Sequence, residues 1–147
     1  MIGYESLGLG EAQRGIDAAV AEASARGRNM AFAVVDAHGD LIAAARMDGS
    51  HARVLRHAIR KAHTAATFGR NTLALKNELK QSGRELIEWG DAAITTLQGG
   101  LVVKSAGVVV GGIGSGGGSL ETDEEMGRFL IRAMGFEPEE ERTRGSA

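Results

Sequence analysis

Apolar positions recur at two periods along this chain, and the two periods divide it into helices and hairpins. Ala12, Ile16, Ala19, Val20 and Ala23 repeat at helical spacing, with Glu11, Asp17 and Glu22 off that stripe. The pattern predicts a helix over residues 9–26, stopped by Gly27. Residues 30–36 form an apolar run that reads as a largely buried strand. Residues 41–47 return as a second strand, after a turn at Ala37-His38-Gly39-Asp40. Asp48-Gly49-Ser50 breaks that strand and opens a helix over residues 51–68, ended by Gly69. Residues 73–89 read as helical in pieces, interrupted by Gly83 and bounded by Gly90. A second hairpin follows, with strands at 101–105 and 108–110 around a tight Ala106-Gly107 turn.

Beyond it, residues 111–118 read as a glycine-rich loop. Thr122-Asp123-Glu124-Glu125 has the form of a capping box and opens a last helix to about Met134. Two antiparallel hairpins among helices predict an α+β fold rather than a doubly wound parallel sheet. The reading is one domain over residues 1–136, then a polar, flexible tail over residues 137–147.

Composition narrows the function classes. The net charge is −2 and no basic block occurs, which argues against nucleic-acid binding. The chain has no cysteine, so disulfides, thiolate metal sites and thiol nucleophiles are excluded. There is no leader-like start and no apolar run long enough for a membrane span, so the expected location is cytoplasmic, with no membrane partner.

Gly112-Ile113-Gly114-Ser115-Gly116-Gly117 matches a dinucleotide fingerprint letter for letter. The chain ends too soon after it to supply the following parallel strand and acidic residue. What survives is an anion-holding loop beside a helix start, set against a flexible connector. His51, His57 and His63 are six residues apart. Each step turns about 240° on a helix, so the three cannot share a metal, and no metal site is expected. Ser115 lacks the elbow and the following acid and histidine of a hydrolase triad. On the second helix His57, Lys61, Thr64 and Phe68 form one stripe beside the apolar side. A solvated basic face explains all but Phe68. For haem, His51, His57, Met30, Met47 and Tyr4 are available as axial ligands.

Three ordered motifs carry a resemblance. Phe32-Ala33-Val34-Val35-Asp36 with Gly39-Asp40-Leu41 and Arg46-Met47-Asp48-Gly49 is the first. Lys61-Ala62 with Thr64-Ala65 and Phe68 is the second. Gly99-Gly100, Val110 to Gly116 and Asp123-Glu124 make up the third. Over residues 9–135 the chain resembles the GlcG/HbpS-like, haem-binding-protein-like family, which also includes the carboxy-terminal domain of some cobalamin adenosyltransferases. The resemblance implies a profilin-like antiparallel five-stranded sheet flanked by helices, with the fifth strand near residues 94–97, and assembly into homo-oligomers. The leading expectation is a small-ligand-binding protein with a pocket at a subunit boundary. There Arg46 and Lys61 meet an anionic ligand, Gly114, Ser115 and Gly116 donate to it, Thr64 orients it and Asp123 caps or accepts. Haem ranks first among ligands. The alternative is a cofactor-independent isomerase, lyase or hydrolase on a small organic acid or carbonyl compound in a catabolic pathway, with His57 or Asp123 as base and Lys61 or Arg46 as electrostatic stabiliser. A third reading is a partner subunit with a vestigial pocket. Lys61, at the border of the apolar side, is expected to tolerate truncation with a stability change under about 0.5 kcal/mol. The alanine-rich helix face and the wet Phe68 stripe predict a homo-oligomer, a dimer at least.

Overall fold

The computed structural model describes residues 1–140. Helix α1 spans Leu9–Ala25, strands β1 and β2 span Ala31–Val35 and Leu41–Arg46, and helix α2 spans Ala52–Phe68. Helix α3 spans Thr72–Ser82 and is followed by a 3-10 turn at Leu86–Trp89. Strands β3 and β4 span Gly100–Ser105 and Val108–Gly116, and helix α4 spans Leu120–Ala133. The strands form one antiparallel sheet in the order β2-β1-β4-β3. Phe32, Val34, Leu101, Val103 and Ile113 face α1 and α4, and Ala33 and Val35 face Ala58, Ala62 and Ala66 of α2. All five residues of β1 are buried, as expected of a central strand covered on both faces.

Two expectations need correction. The stretch read as a glycine loop is strand through Gly116, and its glycines form a seat for α2. A Cβ on Gly112 would stand 2.6 Å from the Ala62 carbonyl oxygen, one on Gly114 would collide with the Ala58 carbonyl, and one on Gly116 would reach Val54 Cγ1 at 3.0 Å. Two strand residues advance about 6.8 Å and four helical residues about 6 Å, so alternate glycines meet successive turns of α2. The last helix also starts earlier than the Thr122 box implied. Ser119 is its cap, and the Ser119 hydroxyl accepts the Thr122 N–H at 3.1 Å.

The sheet has four strands among the described residues, not five. The outer edge of β3 is closed by side chains instead. Asn71 Oδ1 accepts the Val102 N–H at 2.9 Å, and Thr72 Oγ1 accepts the Gly100 N–H at 3.1 Å. Residues 94–97 lie over α2, where the Thr95 N–H donates to Thr64 Oγ1 at 3.0 Å. Trp89 of the same covering segment meets Phe68 edge-on, with ring centroids 5.7 Å apart. The Phe68 stripe is therefore covered within the chain, and the alanine face lies on the sheet. Both surfaces that suggested a second subunit find their partners inside the protomer. The start of the expected flexible tail is docked: Pro138 is buried and Glu139 pairs with Lys104 at 2.8 Å. Residues 141–147 of that tail lie outside the described residues. Among the described residues, no helix is long and apolar enough to cross a membrane.

Candidate functional site

Three of the polar residues singled out along the chain, Lys61, Ser115 and Asp123, meet at one end of the sheet. Lys61 lies in the middle of α2, Ser115 near the end of β4, and Asp123 in the first turn of α4. Lys61 Nζ donates to the Ser115 carbonyl at 2.8 Å and to Asp123 Oδ2 at 3.2 Å. Asp123 Oδ1 accepts the Gly118 N–H at 2.9 Å, and the Ser115 hydroxyl donates to the Asp123 carbonyl. Lys61 is 4% and Asp123 3% exposed, so this is an interior ion pair. Burial raises the Asp123 carboxyl above the ordinary aspartate range, outweighing the opposing pull of Lys61 and the Gly118 N–H. Gly99, at φ +114°, closes the pair from the β3 side: a Cβ there would lie 3.1 Å from Lys61 Nζ. The border lysine of the helical wheel is thus a core residue, because α4 and the Gly99 corner fold over it. The small cost expected for truncating it does not apply.

The other expected residues are dispersed. Thr64 is buried, donating to the Arg60 carbonyl at 2.8 Å and accepting from Thr95. Gly114 stands between Ala33 and Gly100 in the sheet, and Gly116 stands opposite Ala31. The Ser115 N–H donates to the Gly99 carbonyl. Within the protomer these backbone groups serve the sheet. His57 is half-buried on α2, one turn before Lys61. Arg46 is exposed at the end of β2, opposite Ala31, which in turn stands opposite Gly116.

Just outside the ion pair lies an open cleft of about 520 Å³. Its lining comes from the loops at this end of the sheet: Asn29 before β1, Gly49 and Ser50 after β2, His51, Arg53 and Val54 at the start of α2, and Gly117 and Gly118 between β4 and α4. The hydroxyl of Ser50 is buried without a hydrogen-bond partner among the described residues. Sequence reasoning named His51 here but missed Asn29, Ser50 and Arg53. The available signal was the Asp48-Gly49-Ser50 break ahead of α2. Chemically the cleft offers an imidazole, a guanidinium and an amide beside glycine backbone, a set suited to an anionic ligand.

A family model described as "Haem degrading protein HbpS-like" matches residues 7–131. No curated protein matches the sequence. Among solved structures, a double mutant of Streptomyces reticuli HbpS is 30% identical, covering 88% of each chain with a TM-score of 0.80. The PduOC:heme complex is 27% identical over 87% of this chain and 94% of that one, with a TM-score of 0.78. Klebsiella pneumoniae ORFY, 23% identical over 92% and 94% with a TM-score of 0.82, shares the fold.

Proposed function

The chain belongs to the HbpS-like family, and from that premise we propose that it is a haem-binding protein whose site is the cleft between the start of α2 and Gly117-Gly118. Haem calls for an axial donor, partners for its carboxylates and an apolar slot. His51 would hold the iron, and Arg53 would take a carboxylate. Gly117 and Gly118, lacking side chains, and Val54 would form one wall against the ring. The relative bound to haem supports the ligand class. The observation that carries the location is the convergence of His51 and Arg53 on one cleft of about 520 Å³ beside Gly117 and Gly118. One wall does not enclose a flat ring. In this reading a second protomer closes the other side, and Leu120, 48% exposed at the start of α4, is the apolar side chain offered to it.

When bound, haem supplies the redox chemistry of its iron. The chain's own residues orient it, hold its carboxylates and exclude water from one face. The enzyme reading, with His57 or Asp123 as base and Lys61 or Arg46 as stabiliser, finds Lys61 and Asp123 buried against each other and not facing open space.

The test is a haem titration followed at the Soret band, on wild type and His51→Ala. The expected result is saturable binding with an altered Soret position in the variant. No saturable change at micromolar haem overturns the haem reading, and an unaltered spectrum in His51→Ala removes the axial assignment.

A further inference from the structure

We propose that Lys61 and Asp123 are positioning residues: the buried pair holds Gly118 in place and thereby shapes the glycine wall of the cleft without touching its ligand. The inference rests on the cleft reading above and adds to it a mechanism of preorganisation.

The two carboxylate oxygens of Asp123 face different ways. Oδ2 is turned inward to Lys61 Nζ, and Oδ1 is turned toward the cleft, where it accepts the Gly118 N–H. Gly118 precedes the α4 cap, Ser119, and lines the cleft. Its N–H lies outside the sheet ladder, which ends at Gly116. Among the described residues Asp123 Oδ1 is its only hydrogen-bond acceptor. Gly117, at φ +103°, has no side chain that could anchor it. The tether from Gly118 to Asp123 is therefore what fixes this wall.

Lys61 completes the device in two ways. It anchors Asp123 to the Ser115 carbonyl, so that α2, β4 and α4 share one fixed point. It also supplies, at Oδ2, a positive charge to the Asp123 carboxylate, which would otherwise stand as a lone anion behind a cleft suited to anions. A ligand anion thus meets Arg53 in front and a charge-balanced pair behind.

The arrangement separates three variants. Asp123→Ala removes the tether, and Asp123→Asn paired with Lys61→Met keeps an oxygen to accept from Gly118 with no ammonium competing for it. Lys61→Met with Asp123→Leu, the apolar double variant, replaces the pair by apolar side chains, which preserves burial while removing the tether. The expected result is haem affinity lowered by about tenfold or more in Asp123→Ala and in the apolar double variant, with most of the loss absent from the paired Asn variant. Amide hydrogen exchange in the haem-free proteins should show faster exchange at Gly118 in the two tether-free variants and not in the paired Asn variant. If Asp123→Ala does not fold, the apolar double variant decides. An apolar double variant that binds haem as tightly as wild type, or that leaves Gly118 exchange unchanged, overturns the proposal. If wild type fails to bind haem, the function proposed above falls, while the exchange measurement still tests whether the pair holds the wall.

Discussion

Gly114 lies under Ala58 so closely that a methyl group on it would overlap the Ala58 carbonyl oxygen. Helix α2 therefore rests on β4 backbone to backbone. Gly114→Ala should destabilise the protein by about 3 kcal/mol or more, since neither a central strand nor a buried helix can withdraw cheaply. Gly10→Ala is the contrast. It lies exposed in α1, with only an arginine side chain 3.7 Å from the added methyl, and should gain about 0.5–1 kcal/mol. Denaturant titration of both variants checks the pair of signs.

Lys61→Met should cost about 3 kcal/mol, because it leaves a buried carboxylate without its cation. Adding Asp123→Leu should recover most of that loss, since the cost lies in the uncompensated charge and not in the lost attraction. A double variant no more stable than Lys61→Met, measured by the same titration, would mean that packing rather than charge governs the site.

Asp123 also sets a pH dependence. Its folded-state pKa lies above the ordinary aspartate value. The folded state therefore holds this proton more tightly than the unfolded state does. Its contribution to stability is complete below the unfolded-state pKa, about pH 4, and is lost as pH rises through the folded-state value. Wild type should lose stability relative to Asp123→Asn as pH increases from about 4. Parallel stability curves for the two proteins across that window would contradict the raised value.

Thr64 should act through the covering segment. Thr64→Val keeps the shape but removes the oxygen that accepts the Thr95 N–H. The expected cost is about 1 kcal/mol, with faster hydrogen exchange at the Thr95 amide. Trp89 fluorescence should move as well if the segment loosens as a unit, because Trp89 packs on Phe68 of the same helix stripe.

Helical spacing in α1 and α2, both hairpins and the Ala106-Gly107 turn were legible along the chain, because each depends on neighbours a few residues apart. Ala106 and Gly107 do adopt positive φ angles, at 50° and 80°, as a two-residue hairpin turn requires. The three motifs likewise identified the family by linear order. The sequence by itself thus determined most helices, both hairpins, the α+β class and the family.

Only the tertiary structure decided what the glycines and the charged residues do. Glycine at 112, 114 and 116 is equally consistent with a mobile loop and with a strand pressed against a helix, and the choice depends on Ala58 and Ala62, some fifty residues away. Lys61 looked like a border residue because a helical wheel contains one helix and no neighbours. It is interior because α4 delivers Asp123 and the turn before β3 delivers Gly99. The cleft was illegible for the same reason: its residues come from three connections between elements, and only the register of Arg46 with Ala31 and of Ala31 with Gly116 gathers them at one end of the sheet. Burial and register are properties of contacts between distant segments, and no local pattern of side chains encodes them.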